Sequence, residues 1–568
     1  MLTLAALAAT LAAALMSAAP VVAAHGYVQP PREFAPRCRA GQSDTLTIAA
    51  TTDTHGRIRA WNYYDNLADS ARGLTRAASI VDSIRRAQSG KVVLVDAGDL
   101  LQGNPFAYVA ARVTRRKQNP IVAAMNAMRY DAAVIGNHEF NYGVPYLNRS
   151  VAQARFPFIA ANVYHTNGNS DGAAAYPSLT IVRRAGVNVG IVGATTPGSN
   201  VWDAENLKRA GLRVGDIVPA VRAGVTQARK RGADVVVVLL HSGLNEPSSY
   251  DTVSTSIGSE NVAARVAAEV PGIDVIVYGH SHKENGGETI GHTLLIQPKN
   301  WATSIAAAAV PLACDASGER WDVGPATGTL VQTAQHREDK GVLRASEQVH
   351  RQTIAYVTSP IGSTPVLWRA DSARAMDVPL TDFILEVERK AAGADLASTA
   401  AFDLGARLGP GPINIAQAAQ LYPYDNTLRA VRISGAQLRS YLDYSSRYYK
   451  TNPRGALIVD TTVAGYNFDV VSGVEYTLDL SRQVGQRVTT LVYHGKPVTA
   501  TDSFTLALNN YRQTGGGGYA MLRGARVVYD RQQEIRQLLV DEIRRRKVIT
   551  PSEYFVKNWA FVRPEAAQ

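Results

Sequence analysis

The chain has 568 residues, 46% of them hydrophobic and 19% charged, which is ample for a packed core and long enough for more than one domain. Its formal net charge is +11 and its pI about 9.5. That balance suits anionic substrates such as phosphate esters. No long Lys/Arg run accompanies it, so charge gives no ground for nucleic-acid binding, and no partner of that kind is expected.

The first residues, "MLTLAALAATLAAALMSAAPVVAA", carry no charge and end in the small-residue pattern Val22-Ala23-Ala24. They read as an export signal over residues 1–24, cut after Ala24, although a positive n-region is missing. A retained membrane anchor is the alternative. No other stretch approaches the roughly 18 apolar residues that span a bilayer. A periplasmic or secreted protein without stable membrane association is therefore expected after cleavage. The two cysteines, Cys38 and Cys314, have no metal-site partner at short spacing. In an exported protein they could pair, or remain as two structural thiols.

From residue 43 to about 332 the chain alternates short β-rich runs with helical stretches. The runs are "TLTIAATTD", "KVVLVDAGD", "DAAVIGN", "FPFIAANV", "VNVGIVGATT", "DVVVVLLHSG", "IDVIVYGHSH" and "HTLLIQP". This is an α/β pattern with buried sheets. Residues 333–361 are charged, with apolar positions three or four apart, and predict a linker helix. A second αβ region follows over 362–545. No internal repeat occurs.

Most of the runs end in polar or glycine residues, and in α/β folds ligands gather at the carboxyl ends of strands. Asp53 and His55 stand in "TTDTHG", Asp99 in "DAGD", and Asn137 and His138 in "GNHE". His241 opens "HSG", and His280 and His282 lie in "GHSH". Five of the eleven histidines therefore follow directly on apolar runs, which independent core histidines would not do. Asp-x-His and His-x-His place both side chains on one face of an extended segment. Seven ligands exceed the needs of one ion and suit two divalent ions roughly 4 Å apart, one carboxylate bridging them. Asp99 is the best candidate for the bridge. Nitrogen and oxygen ligands without thiolate favour Zn, Mn, Co or Fe.

"TTDTHG", "GDLLQGNP", "GNHEFNYG", "HSG" and "GHSH", in this order, resemble the calcineurin-like metallophosphoesterases. They are most similar to the exported 5′-nucleotidase and 2′,3′-cyclic-nucleotide phosphodiesterase group. "YPYDNTL", "FDVVSGVEYTLDLS" and "NNYRQTGGGGY" extend the likeness through that group's C-terminal substrate domain. The resemblance implies a sandwich of two β-sheets flanked by helices over 43–332. A smaller α+β nucleotide-binding domain, 362–545, would follow. It implies one metal on Asp53, His55, Asp99 and His282, and a second on Asp99, Asn137, His241 and His280. His138 would stand beside them, stabilising charge on the transferred phosphoryl group or assisting the leaving oxygen. Tyr424 and Tyr511 match two aromatics that sandwich the base, and Asn426 a residue that bonds its edge. From spacing alone those tyrosines would read as ordinary core residues.

The 5′-nucleotidase members read GNHEFD, with an aspartate partner for the histidine, and grip the phosphate with two arginines. Here Asn141 holds the aspartate's place, and "AAFDLGARLGPGP" offers only Arg407. An amide does not favour imidazolium as a carboxylate does. The pattern is closer to the 2′,3′-cyclic-nucleotide 2′-phosphodiesterase/3′-nucleotidase branch. The alternatives are a 5′-nucleotidase or UDP-sugar hydrolase, a thiosulfate-ester hydrolase of the same fold, and a non-catalytic exported nucleotide-binding protein. A monomer acting on nucleotides is expected.

Overall fold

The computed structural model describes residues 38–114, 118–166, 172–250, 252–253, 255–424 and 426–562. The expected export signal lies outside them. Among the described residues no helix is long and apolar enough to cross a membrane.

Two six-membered strand paths form the first half. One runs Trp321–Val323, Ser304–Cys314, Ser43–Thr51, Val92–Asp96, Ala132–Val134, Phe158–Ile159, with Thr327–Gln332 also pairing to Ser304–Cys314. The other runs Asn285–Ile290, Thr293–Gln297, Val275–Tyr278, Val235–His241, Val187–Thr195, Leu179–Arg184. Side-chain alternation along each strand sends alternate residues to opposite faces. Ile48 and Ala50 thus meet Val237, Leu239, Val275 and Val277 in the core between the sheets. Ala49 and Leu94 face outward against helical residues such as Ile80 and Val81. On the far side, Val236, Val238 and Leu240 pack under Val221 and Val225 of helix Ile217–Lys230. The fold is the expected sandwich of two sheets between helices.

The eleven-residue strand Ser304–Cys314, "SIAAAAVPLAC", is absent from the sequence-derived strands. Its alanine run has low strand propensity. It forms because Ser43–Thr51 lies antiparallel beside it over eight residue pairs, where small side chains fit between packed layers. Cys314 at its end is joined to Cys38 by a disulfide.

The expected linker helix is Lys340–Val357, begun by Asp339, whose carboxylate accepts the Val342 N–H at 2.8 Å. It is more than a connector. Val342, Val349 and Val357 are buried with Ile121 and Ala124 in the first half's outer core, and Tyr356 touches both that core and the next.

The second half holds a five-stranded sheet ordered Asp469–Ser472, Leu396–Ala400, Ser503–Asn509, Thr427–Ser434, Val527–Glu534. A four-stranded sheet stands beside it. Its packing runs past residue 545: Ile549, Tyr554 and Trp559 are buried in this core, and Trp559–Phe561 pairs with Glu475–Leu478. A sequence reading stops short because this tail is short and aromatic rather than periodic. Across the two halves the Tyr64 hydroxyl donates to the Pro423 carbonyl at 3.3 Å and the Gln420 amide to Asp65 at 2.7 Å.

Candidate metal centre and substrate face

Sheet order gathers the expected ligands. Ser43–Thr51, Val92–Asp96 and Ala132–Val134 are parallel neighbours, and their carboxyl ends lead into Asp53 and His55, Asp99, and Asn137 and His138. Val235–His241 and Val275–Tyr278 are parallel neighbours in the other sheet, and lead into His241, His280 and His282. Three clusters result: Asp53, His55 and His282; His55, Asp99 and His138; and Asp99, His241 and His280, each with ligand atoms within 4.8 Å of one another.

The backbone is bent to make this possible. Asp53 (φ 48°), His55 (47°), Asp99 (60°), His280 (72°) and His282 (55°) all lie in the left-handed region. Such conformations cost about 1–3 kcal/mol each and persist only where the surroundings over-determine them. Gly136 lets two loops close on each other: a Cβ there would lie 2.3 Å from Asp99 Oδ1.

Ring orientation is set from behind. His55 Nδ1 is 2.8 Å from the Gln102 carbonyl, and His241 Nδ1 is 2.8 Å from the Ala97 carbonyl. Each Nδ1 therefore carries the proton and each Nε2 presents a lone pair inward. His55 Nε2 lies 3.0 Å from His282 Nε2, and His241 Nε2 lies 3.0 Å from both Asn137 Oδ1 and Asp99 Oδ2. His280 is reversed. Its Nε2 is 2.7 Å from Glu260 Oε1, leaving Nδ1 as its donor atom. Lone pairs converging on one another in a buried place are what a cation requires, so the residues fit divalent metal binding. Burial by itself would raise Asp99, yet the His241, His138 and His55 rings hold it well below the usual carboxylate range.

Three acidic residues support this arrangement that sequence reasoning left without a role. Glu139, fully buried, accepts the backbone N–H groups of Asp99 (2.9 Å), Leu100 (2.6 Å), Leu101 (3.0 Å) and Gly136 (2.7 Å). Glu260 backs His280. Asp203, 5% exposed, accepts from the Asn141 amide at 3.0 and 2.9 Å, while Asn141 Oδ1 is 2.6 Å from His138 Nδ1. Burial pushes the Asp203 carboxyl up to about 6. The neighbouring Trp202 ring lies against His280, centroids 5.6 Å apart. Glu260 sits in a polar loop and Asp203 at the junction of two short helices, where no periodicity marks them. Glu139 is visible in "GNHE", but its partners are main-chain groups, which carry no residue code.

On the second half, Tyr424 is 44% exposed, with Phe402 edge-on to it at 5.3 Å and Tyr466 at 6.5 Å. Tyr511 leans on the glycine run, where a Cβ at Gly516 would come within 2.7 Å of its ring. Burial raises the Tyr511 hydroxyl above its ordinary value, against the opposing charge of Arg512. Asn426 is half-buried at the entry to strand Thr427–Ser434, its carbonyl accepting the Ile535 N–H at 3.0 Å.

The calcineurin-like phosphoesterase family profile matches residues 46–284, and the 5′-nucleotidase C-terminal domain profile matches 360–524. A Haemophilus influenzae protein named 2′,3′-cyclic-nucleotide 2′-phosphodiesterase/3′-nucleotidase is 32% identical, over 92% of this chain and 88% of the relative. This chain belongs to that phosphoesterase family. A Bacillus subtilis relative, described as a trifunctional nucleotide phosphoesterase, is 29% identical over 91% of this chain, which spans 39% of that protein's length. Among solved structures, a Staphylococcus aureus protein described as a candidate 5′-nucleotidase superposes with a TM-score of 0.75. It is 26% identical and covers 91% of this chain and 100% of its own.

Proposed function

We propose that this protein is a two-metal hydrolase that opens 2′,3′-cyclic nucleotides to 3′-nucleotides and then dephosphorylates these to nucleosides. The observation that carries the reading is the convergence of seven ligand side chains at neighbouring strand ends, with His138 beside them. Asp53, His55, Asp99 and His282 would hold one ion, and Asp99, Asn137, His241 and His280 the other, drawn from Zn, Mn, Co or Fe. When bound, the ions supply an activated water and offset charge on the phosphoryl oxygens. His138, held by Asn141, meets the transferred phosphoryl group or the departing ribose oxygen. Water adds at phosphorus, the P–O2′ bond breaks, and the 3′-monophosphate formed is cut in turn at its remaining ester. The Cys38–Cys314 bridge supports an exported, periplasmic or secreted protein. The division into residues 43–332, 333–361 and a last part that starts at 362 serves that chemistry, metals on the first part and base on the last.

Phosphate and nucleoside release from 2′,3′-cyclic AMP, 3′-AMP and 5′-AMP, with Mn, Co or Zn added, tests the reading. The first two should exceed 5′-AMP in kcat/KM by about tenfold or more, the equivalent of roughly 1.4 kcal/mol. A 5′-AMP maximum would make the protein a 5′-nucleotidase. No release from any of them would leave a binding protein.

Tyr424 and Tyr511 are assigned to clamp the base from opposite faces, and Asn426 to bond its edge. Stacking on an aromatic is worth roughly 1–3 kcal/mol per base. Tyr424→Ala and Tyr511→Ala should each raise KM for 3′-AMP by about 5- to 150-fold with little change in kcat. Hydrolysis of bis(p-nitrophenyl) phosphate, which has no base, should stay near normal. Equal loss on both substrates would make the tyrosines supports of the fold.

A further inference from the structure

Asp203 stands at the N-cap position of helix Ala204–Ala210 but does not cap it: its side chain accepts no backbone N–H of its own helix. Aspartate at this position ordinarily spends its carboxylate on the N2 or N3 amide. Here both oxygens turn to Asn141 Nδ2, at 3.0 and 2.9 Å, and Oδ1 also accepts from Asn206 Nδ2 at 3.2 Å. Asn206 in turn donates to the Phe140 carbonyl at 3.0 Å, next to Asn141. Asp203 is buried and Asn141 half-buried, and strand Val187–Thr195, whose end supplies no expected ligand, delivers Asp203 through the segment that follows.

A carboxylate only accepts hydrogen bonds, whereas an asparagine amide has one accepting and one donating end. Asp203 therefore fixes which way Asn141 lies: the NH2 faces Asp203 and Oδ1 faces His138. With Oδ1 at 2.6 Å from His138 Nδ1, that nitrogen must carry the proton. His138 Nε2 is then the nitrogen left to work, and it points into the centre, 3.9 Å from Asp99 Oδ2. We propose that Asp203 is the positioning carboxylate of His138, acting through Asn141 to fix the imidazole's tautomer and orientation. The proposal rests on the reading of His138 as the group that meets the phosphoryl ester. A carboxylate in direct contact with Nδ1 does this in catalytic triads; here the amide passes the constraint one residue further. With an amide at 203 instead, either end could face Asn141, and Asn141 could turn its NH2 to His138.

Five variants of the metal-loaded enzyme on 3′-AMP test this, with metal content and melting temperature measured alongside. Asp203→Asn should lower kcat by about 10- to 100-fold, the usual cost of losing the partner that orients a histidine, with KM and two metals per chain unchanged. In a His138→Asn background the same change should cost nothing more, because the two groups act as a unit. Asn141→Asp alone sets two carboxylates against each other and should lose activity. Asn141→Asp with Asp203→Asn puts a carboxylate on Nδ1 and an amide behind it, and should recover kcat to within about threefold of the parent. Parental kcat in Asp203→Asn, a further loss in the His138→Asn background, or a double exchange no better than Asn141→Asp would each overturn the relay. Parental kcat in His138→Asn would overturn the reading of His138 itself, and the relay with it.

Discussion

Asp99→Asn is expected to lower kcat by at least about 100-fold and to reduce bound metal below two per chain. Asp99 is 1% exposed and central to two of the three ligand clusters. Its Oδ2 lies 3.0 Å from His241 Nε2 and 3.9 Å from the Nε2 atoms of His55 and His138, and its Oδ1 accepts the His138 N–H at 2.8 Å. It is the one carboxylate shared by two of these clusters among the described residues. Asparagine is isosteric and can keep the His138 N–H bond, so the fold should survive. What it removes is the negative charge between two cation sites in a place closed to water, where such terms are worth several kcal/mol. Its NH2 would also point a donor where the cluster needs a lone pair. Elemental analysis and steady-state rates decide it. A variant keeping more than about a tenth of the activity with two metals bound would refute the bridging role.

Glu139→Gln is expected to destabilise the first half by about 3–5 kcal/mol and to weaken metal retention with it. The carboxylate takes four backbone N–H bonds, two on each oxygen: Leu100 and Leu101 on Oε1, Asp99 and Gly136 on Oε2. Glutamine can satisfy one pair with its carbonyl. Its NH2 then confronts the other two N–H groups, donor against donor, in a fully buried site. Hydrogen bonds to charged groups are worth roughly 1.5–3 kcal/mol each, and the stranded donors add their own desolvation cost. The loops held by Glu139 carry Asp99 and Asn137, so both ligands should loosen together. Melting temperature should fall by on the order of 10 °C, at roughly 2–4 °C per kcal/mol for a domain of this size. A glutamine variant melting within about 2 °C of the parent with full metal content would show that the loops hold themselves.

Both residues belong to "GNHE" and "DAGD", and the contrast between them marks how far local pattern reaches. An apolar run breaking into Asp, Asn or His is visible in any strand, because burying such a group without a partner is costly. That cost places Asp53, His55, Asp99, Asn137, His241, His280 and His282 at strand ends before any sheet is known. Which strand ends are neighbours is another matter. It depends on the parallel order of Ser43–Thr51, Val92–Asp96 and Ala132–Val134 in one sheet, and of Val235–His241 and Val275–Tyr278 in the other. Hydrophobic alternation assigns a strand its faces but not its neighbours.

The amino-acid sequence by itself therefore determined the two-sheet class, the family and the polar residues that end the apolar runs. The tertiary structure alone decided what stands behind each ligand. Glu260 reaches His280 from 20 residues upstream, Asp203 reaches Asn141 from 62 residues downstream, and Cys38 meets Cys314 across a separation of 276. The same holds for the alanine-rich strand Ser304–Cys314, whose own propensity argues against it and whose neighbour supplies its hydrogen bonds. Periodicity records which way a side chain faces along one segment. Partners on separate loops are brought together only when burial of the shared core fixes the path of the whole chain, and the polar residues that profit carry no repeating signal of their own.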